Sequence, residues 1–531
     1  MQRNHSVAHE TQVSGITSGH LLPHHSQAQT AYAKKTAQRH KDMTHERRNP
    51  PVWISAIPFI SLILLLAATL SIYGSDALSG PSQIALLCST AICVILGMGF
   101  CHVKWREIEE NIIDKVRNTT ISIYILLCIG MLAGAWMISG IVPTMIYYGI
   151  QIIHPAVFLI STCIICAVVS LMTGSSWTTV ATIGLALLGI GRALGFDDGW
   201  TAGAIISGAY FGDKMSPLSD TTILASSVSG TPLFTHIRYM TQTTGPTIFI
   251  TLVIFSLAGL WMGNTVMSDT TVYLQALDNT FDITPWVLIV PIVTGILIYK
   301  KVPSLIVLFT SAILAVIMAV IFQHDVLLQV AGLPKGTTEY SIADTFHGIV
   351  TTVSTSTSID TGLPLFNNLV STSGMAGMLN TIWLILSAMI FGGAMTACGM
   401  LRSFLSAIFR RMMKTRTGLV SSTVVNGIAM NLMTGDQYIS IILSANMFKD
   451  EYVKQGYETR LLSRATEDSA TVTSVLIPWN TCGMTQSTVL GVATLTYLPY
   501  AFFCYLSPLM SIFIAAIGWK IRKATADNSP S

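Results

Sequence analysis

Long apolar stretches separated by short polar segments dominate the pattern of this chain. A membrane-spanning helix needs about 20 consecutive, mostly apolar residues. Stretches of this kind lie at 52–72, 83–101, 119–139, 240–262, 303–322 and 377–400. The pattern therefore predicts an all-α polytopic membrane protein in a lipid bilayer.

Two polar interruptions break this apolar pattern, and both follow the same short motif. Leu-Met-Thr-Gly occurs at 171–174 and again at 432–435. A charged, hydroxyl-rich segment follows each copy, at 212–222 and at 467–481. Two such breaks within sequence that is apolar enough to span a membrane are typical of secondary transporters that are built from two repeats.

Composition supports the membrane assignment and excludes other classes. Hydrophobic residues make up 51% of the 531 residues and charged residues only 10%, against roughly 25% charged in soluble domains. The net charge of +3 is too small to indicate a nucleic-acid partner. The nine cysteines lie mostly in apolar stretches and give no disulfide framework.

Lysine and arginine concentrate in cytoplasmic loops of membrane proteins, and their distribution here predicts a topology. The basic end of segment 1–49 and the basic residues after 517 place both termini in the cytoplasm. Basic residues likewise assign 102–118, which contains Lys115, and the stretch from Lys449 to Arg464 to cytoplasmic loops, whereas 140–154 has no Lys or Arg and is assigned to an outer loop. The segments 155–194 and 418–448 are predicted as re-entrant hairpins that enter from opposite sides. The two halves are thus predicted to form an inverted-topology repeat, with about ten full spans besides the hairpins.

These boundaries define the predicted organisation. A polar, His-rich, disordered cytoplasmic tail (1–49) precedes N-terminal helices (50–118). The first transport repeat (119–262) contains hairpin 155–194 and a broken helix at 200–230. Connecting helices and an outer segment (263–376) lead to the second repeat (377–523), with hairpin 418–448 and a broken helix at 465–490, and to a tail (524–531). The pattern leaves the role of 348–376 open between an outer loop, an interfacial helix and part of a gate.

Polar side chains at the breaks are candidates for binding a cation or a small solute. Ionisable groups at membrane depth are costly and mark ion or substrate paths, and hydroxyl, amide and carboxylate oxygens suit hard cations such as Na⁺. The candidates are Thr173, Ser175, Ser176, Asp213, Ser216, Ser219, Asp220 and Thr221 in the first half, and Thr434, Asp436, Glu467, Asp468, Thr471, Thr473, Ser474, Asn480 and Thr481 in the second. Asp213 and Asp468 are the predicted Na⁺ ligands.

Lys214 is the one cation that the sequence places within a break. One hypothesis pairs it with the neighbouring Asp213 in the absence of a bound cation; the other directs it away, since adjacent helical residues do not face each other. Arginine, the usual counter-charge for an organic anion, is missing from both breaks. This favours a bare cation as cargo over an organic anion or amino acid.

Several long motifs resemble the NhaC-type sodium/proton antiporter family. They are Gly174-Ser-Ser-Trp-Thr-Thr179, Ser207-Gly-Ala-Tyr-Phe-Gly-Asp-Lys-Met-Ser-Pro-Leu-Ser-Asp-Thr-Thr222, Leu233-Phe-Thr-His-Ile-Arg238, Glu467-Asp468-Ser469 and Ile477-Pro-Trp-Asn-Thr-Cys482. Ile223, Ala470 and Val475 depart from the family pattern. The family's relatives include sodium-coupled malate/lactate antiporters and amino-acid exchangers, so the resemblance implies an inverted-repeat transporter.

The expected function is therefore Na⁺/H⁺ antiport at the cell membrane, with Na⁺ as coupling or transported ion and no cofactor. Exchange of an organic anion or amino acid on the same fold is the alternative. An intramembrane aspartyl protease, suggested by Gly212-Asp213 and Gly435-Asp436, lacks a Tyr-Asp partner motif, and no zinc-hydrolase motif occurs; we expect no enzyme. A homodimer is compatible with the sequence, which leaves stoichiometry and the type of motion undetermined.

Overall fold

The computed structural model describes residues 50–73, 77, 79–263, 270–300, 302–334, 337, 341–361, 367, 370–409, 412–521 and 523. Over these residues the regular elements are helices, with two isolated β-bridges at Thr357–Thr372 and Tyr457–Lys523. The predicted tails 1–49 and 524–531 lie outside the described residues. The prediction of an all-α protein is confirmed for the part that is described.

The first half begins with an N-terminal helix pair and continues through the first break. Its helices are α1 (Val52–Tyr73), α2 (Pro81–Gly99), α3 (Trp105–Ile138), α4 (Ile141–Ile152), α5 (Pro155–Thr173), α6 (Ser176–Thr179), α7 (Leu185–Ala193), α8 (Asp198–Met215), α9 (Asp220–Ser229) and α10 (Leu233–Gly263). A π-helical segment, Val180–Gly184, joins α6 to α7.

The second half follows after connecting helices. The remaining helices are α11 (Thr270–Thr280), α12 (Ile289–Tyr299), α13 (Ser304–Phe322), α14 (His324–Val330), α15 (Ile342–Ser354), α16 (Leu379–Ala397), α17 (Met400–Phe409), α18 (Arg416–Thr434), α19 (Gln437–Lys454), α20 (Thr459–Thr466), α21 (Thr481–Leu490), α22 (Thr494–Tyr497) and α23 (Phe502–Ile517). A π-helical segment, Glu467–Thr471, extends α20.

Seven described helices are long and apolar enough to cross a membrane, and the number rises to nine if each of two bent helix pairs counts as one span. All six apolar stretches that the sequence singled out fall on these helices. The chain is thus a multi-pass membrane protein, while the predicted total of about ten spans is not confirmed.

Two predicted loops are helical instead. The segment 102–118 belongs mostly to α3, which begins at Trp105, and 140–154 forms α4. Both segments carry apolar residues at helical spacing, which the count of basic residues did not weigh. In the open segment 348–376, α15 ends at Ser354, and the Thr357–Thr372 bridge follows it.

Helix boundaries recur along the chain at a spacing of 261 residues. The N-cap residues pair as His154 with Thr415, Asp197 with Glu458, and Ser219 with Asn480, and the C-cap glycines as Gly174 with Gly435 and Gly230 with Gly491. The Leu-Met-Thr-Gly copies have the same spacing. The duplication seen in a four-residue motif therefore extends over two complete modules, 154–230 and 415–491.

Within the first module, α5 and α8 run side by side in the same direction. Gly208 contacts the backbone at Cys163, and Gly212 contacts it at Ala167 and Leu171. The absence of side chains at both glycines allows this close approach, as in other small-xxx-small helix pairs. The approach brings the end of α5 level with the end of α8, where the first break begins.

Candidate functional site

The two hairpin tips each form a turn with the same hydrogen-bond pattern. In the first tip, Gly174 has φ +67°, and the Ser175 amide donates to Thr173 Oγ1 at 3.2 Å. In the second, Gly435 has φ +64°, and the Asp436 amide donates to Thr434 Oγ1 at 3.3 Å. Glycine adopts this left-handed conformation without a steric penalty. At each tip the chain therefore reverses abruptly and starts a new helix.

The residue after each glycine caps the returning helix. The Ser175 hydroxyl accepts from the Thr178 amide at 3.2 Å, and the Asp436 carboxylate accepts from the Ile439 amide at 2.8 Å. Capping satisfies backbone donors that have no partner inside the helix. The side chains of Thr173, Ser175, Thr434 and Asp436 therefore stabilise the turns and the helix starts at the tips.

Asp213 connects the first tip to the first break. Its Oδ2 accepts hydrogen bonds from the Ser176 amide at 3.1 Å and the Ser176 hydroxyl at 2.7 Å. Its Oδ1 accepts from the Ser219 hydroxyl at 2.6 Å, and that hydroxyl also lies 2.9 Å from Thr221 Oγ1. Four residues that the sequence singled out thus meet around one buried carboxylate.

The other two candidates of the first break lie outside this set of contacts. The Ser216 hydroxyl accepts from the Leu218 amide at 3.2 Å and shapes the turn of the break. Asp220 occupies the first turn of α9 and is exposed. A negative charge in the first turn favours the positive end of the helix dipole.

Asn431 organises the second break, and the sequence analysis missed it. Its Nδ2 donates to the Ala470 carbonyl at 2.7 Å and to Thr473 Oγ1 at 3.1 Å. Asn480 Nδ2 in turn donates to the Asn431 carbonyl at 3.3 Å, while its Oδ1 accepts from the Cys482 amide at 3.1 Å and caps α21. The position that would have indicated Asn431 is Ser170, 261 residues earlier, whose hydroxyl donates to the Ala209 carbonyl at 2.5 Å.

The remaining hydroxyls of the second break make local contacts. Thr473 Oγ1 donates to the Ser469 carbonyl at 2.8 Å, and the Ser474 hydroxyl donates to the Thr471 carbonyl at 2.7 Å. Thr481 Oγ1 lies 3.5 Å from Asn480 Oδ1. These bonds satisfy backbone carbonyls that the irregular helix would otherwise leave unpaired.

A fully buried ion pair joins the two breaks. Lys214 Nζ contacts Asp468 Oδ1, and neither side chain is exposed to solvent. Lys214 also donates to the Ser507 hydroxyl at 2.9 Å, and the Thr243 hydroxyl donates to Asp468 Oδ1 at 3.0 Å. The hypothesis that Lys214 pairs with Asp213 is wrong, because adjacent helical residues diverge by about 100° and Lys214 faces the other half.

Arg464, which precedes the second break in sequence, also lies beside the buried ion pair. It is fully buried, and its Nε is 3.9 Å from Asp468 Oδ2. Its Nη1 donates to Gln242 Oε1 at 3.3 Å, and its guanidinium lies 4.7 Å from the centre of the Tyr239 ring. The topology analysis assigned Arg464 to a cytoplasmic loop, but α20 carries it to within one turn of Asp468.

Polar atoms without a hydrogen-bond partner cluster along the same helix. Within the described part of the chain, the geometry gives no hydrogen bond to Arg464 Nε and Nη2, Asp468 Oδ2, both Glu467 oxygens or the Thr471 hydroxyl, although Arg464 Nε and Asp468 Oδ2 face each other at 3.9 Å. Burying such groups unpaired is costly. These atoms therefore have free capacity for a ligand, whereas the Asp213 carboxylate is already satisfied by three donors.

Lys115 is a second basic residue that the sequence placed in a loop. It lies on α3, is 8% exposed and interacts electrostatically with Asp436 of the second tip. The sequence analysis did not identify Lys115 as a site residue, because it assigned this segment to a loop and not to α3. The described residues contain no group of three or more His, Cys, Asp or Glu side chains arranged for a metal ion.

Comparison with known proteins places this arrangement in a family. Residues 208–519, which contain both breaks, match the model of the Na⁺/H⁺ antiporter family. The Na⁺/H⁺ antiporter NhaC of Alkalihalophilus pseudofirmus is 34% identical over 88% of this chain and 97% of its own length. The chain belongs to the Na⁺/H⁺ antiporter family. The resemblance inferred from the motifs is confirmed, and this family member is a secondary transporter rather than an enzyme.

Relatives with other printed activities are similar at nearly the same level. The malate-2H⁺/Na⁺-lactate antiporter of Bacillus subtilis is 33% identical over 88% of this chain and 95% of its own length. The arginine/ornithine antiporter ArcD of Halobacterium salinarum is 31% identical over 92% of the chain and 97% of its own length. Identity at this level establishes membership in the Na⁺/H⁺ antiporter family and leaves the cargo to be argued from the site.

Proposed function

We propose that the protein exchanges Na⁺ for H⁺ across the cell membrane by alternating access. The buried Lys214–Asp468 ion pair is the observation that carries this proposal. It joins the two breaks and is shielded from water, and a carboxylate in such a place needs a compensating charge. A cation that reaches Asp468 competes with the Lys214 ammonium group for the same carboxylate oxygen. Binding of the cation therefore depends on displacing one positive charge by another.

The ligands we propose for Na⁺ are oxygens of the second break, with the Asp213 carboxylate of the first break nearby. Asp468 Oδ2, the Glu467 carboxyl and the Thr471 hydroxyl have no hydrogen-bond partner among the described residues, and Asp213 lies within electrostatic range of Glu467. Displacement of a proton by Na⁺ keeps the net charge of this buried region constant. Conserving charge avoids the large solvation cost of adding a second charge to a dry site.

We further propose that the two modules have opposite orientations in the membrane, with both termini in the cytoplasm. The asymmetric distribution of basic residues supports this, and the 261-residue spacing of helix boundaries supports the repeat. The repeats would span 119–262 and 377–523, with 50–118 and 263–376 outside them. Assembly as a homodimer stays a prediction.

Proteoliposomes that contain purified protein and an internal pH dye test the exchange. Addition of Na⁺ should change the internal pH, and Asp468→Asn and Asp213→Asn should abolish this change while the protein remains folded. Glu110→Gln, on the exposed start of α3, is the matched control and should behave like the unaltered protein. Full activity of both aspartate variants would refute the proposed site.

A second candidate cargo, a carboxylate-bearing organic solute, is favoured by Arg464. Its unpartnered, buried guanidinium atoms suit bidentate recognition of a carboxylate, and two relatives are named for exchange of organic solutes. In the same vesicles, malate, lactate and amino acids are added together with Na⁺. A response that requires one of these solutes, and that Arg464→Lys removes, would assign the protein to this class.

A further inference from the structure

The two half-helices that leave the site have equivalent positions in the two modules but different surroundings. On α9, Asp220, Ile223 and Ser227 are exposed. The residues 261 positions later on α21 are Thr481 and Met484, which are 3% and 1% exposed, and the half-buried Thr488. One face is therefore open in the first module and covered in the second.

The open face of α9 begins at the buried site. Asp220 lies one residue after Ser219, whose hydroxyl contacts Asp213. Contact of an exposed carboxylate with lipid is costly, so we expect this end of α9 to face water. The neighbouring α19 runs alongside α9, since Ile441 packs on Ala225 and Lys449 Nζ donates to the Val228 carbonyl at 3.2 Å. The exposed face of α9 thus extends from the site to the level of Lys449 on α19.

The covered face of α21 borders a cavity of about 150 Å³. This volume has room for several water molecules. Its lining is mostly polar, as a hydrated cation requires, and comes from α21, from α16 and the turn before it, and from Ser79 just before α2. The lining residues are Ser79, Gly377, Asn380, Thr381, Leu384, Met484, Ser487 and Thr488.

A hydrogen bond between two threonine hydroxyls links two walls of this cavity. Thr381 of α16 bonds to Thr488 of α21. The neighbouring Asn380 is in turn fixed to the N-terminal helices, because Gln83 Nε2 donates to its carbonyl at 3.3 Å. The bond therefore ties the half-helix of the second module to helices that lie outside both breaks.

We propose that the cavity is the access site through which a hydrated cation enters from the outer side, and that the Thr381–Thr488 bond is its gate. The gate is closed in this structure while the face of α9 is open on the inner side. The inference rests on the proposed function for its cargo and its sidedness. It adds residues to the transport path that neither break contains.

A reversible cross-link tests the gate. The pair Thr381→Cys and Thr488→Cys is oxidised in the full-length protein, and transport is measured in proteoliposomes. Cross-linking should stop transport, and a reductant should restore it; undiminished transport by the cross-linked protein would overturn the proposal. The control pair is Ser61→Cys and Ser89→Cys, whose hydroxyl oxygens lie 3.4 Å apart between α1 and α2, and its cross-linking should leave transport intact. Failure of the gate pair to cross-link where the control pair does would also overturn the gate.

Removal of the gate bond in Thr488→Val gives a second test, which does not depend on cross-linking. Loss of one hydrogen bond should shift the balance between closed and open forms roughly twofold to tenfold. Apparent Na⁺ affinity should then rise at the outer side alone. An equal change on both sides, or no change on either, would contradict the gate.

Labelling with a membrane-impermeant thiol reagent separates this proposal from the proposed function. Ser227→Cys should react from the inner side, and Ser487→Cys, in the Thr488→Val background, from the outer side. Reaction of both from one side would overturn the access routes. If Na⁺ failed to move protons in the unaltered protein, the Na⁺/H⁺ function would fail, whereas opposite-side labelling would still support the two routes.

Discussion

Buried carboxylates in this protein are compensated in different ways, which gives each residue a different role. Three hydrogen-bond donors surround Asp213. Asp468 is paired with Lys214, while the Glu467 oxygens accept no hydrogen bond from the described residues. Asp213 is thus committed to holding a tip against a break, and the region of Glu467 and Asp468 retains free ligand capacity.

Removal of one partner of the buried ion pair should destabilise the protein. In Lys214→Met, the buried Asp468 loses its main partner, which we expect to cost about 3–5 kcal/mol in the free energy of unfolding. Unfolding of the purified protein in detergent measures this cost. The double variant Lys214→Met/Asp468→Leu should recover part of the lost stability, since the buried carboxylate is then removed as well, while Arg464 loses its contact with Asp468 and keeps its hydrogen bond to Gln242. A double variant that is as unstable as the single one would show that packing, and not charge, explains the effect.

Among the elements, the parallel pair α5 and α8 depends on glycine. A Cβ added at Gly208 would overlap the Cys163 carbonyl oxygen, so Gly208→Ala should force the helices apart. Overpacking of this kind costs about 1–3 kcal/mol, and thermal unfolding in detergent measures it. The matched control is Gly295→Ala in α12, where a Cβ would meet nothing within 4 Å. A loss of stability in the control as large as that in Gly208→Ala would contradict the packing argument.

The start of α15 carries a capping box whose strength should depend on pH. The Ser341 amide and hydroxyl both donate to Asp344 Oδ2 at 2.8 Å, and these bonds lower the pKa of the Asp344 carboxyl. A lowered pKa means that the cap is present above the ordinary aspartate range and is lost as the pH falls through the lowered value. Hydrogen exchange, expressed as protection factors that correct for the slower intrinsic exchange at low pH, should therefore show high protection of the α15 amides at neutral pH and lower protection in acid. In Asp344→Asn the amides should exchange fast at both pH values; protection in this variant equal to that of the unaltered protein would contradict the role of the carboxylate.

At the scale of the whole molecule, the proposed topology predicts on which side each loop lies. Asp325, at the start of α14, and Asp450, near the end of α19, are both exposed aspartates. Asp325→Cys should react with an impermeant thiol reagent only from outside the cell, and Asp450→Cys only from the cytoplasm. Labelling of both from the same side would refute the proposed orientation of the second module.

Most helices and both breaks were predictable from local sequence. A helix that spans the bilayer satisfies its own backbone hydrogen bonds, and a break in such a helix needs glycine or proline and polar residues. Both requirements act within one segment and are therefore visible in its sequence. For this reason local sequence was enough to name Asp213, Ser176, Ser219 and Thr221 as candidates, and the structure brings their side chains together. Loop assignment from basic residues failed at Lys115 and Arg464, because a charge count does not register that a helix can carry a basic side chain into contact with a buried carboxylate.

The sequence by itself determined that the protein is a helical, duplicated membrane transporter, since length, hydropathy and the repeated motif are properties of the chain alone. Only the tertiary structure decided which charges pair. Lys214 is adjacent to Asp213 in sequence and contacts Asp468, 254 residues away, because helix geometry separates neighbours and packing joins distant segments. The same packing leaves one half-helix open and covers its equivalent, a difference between two nearly equivalent segments that no local pattern contains.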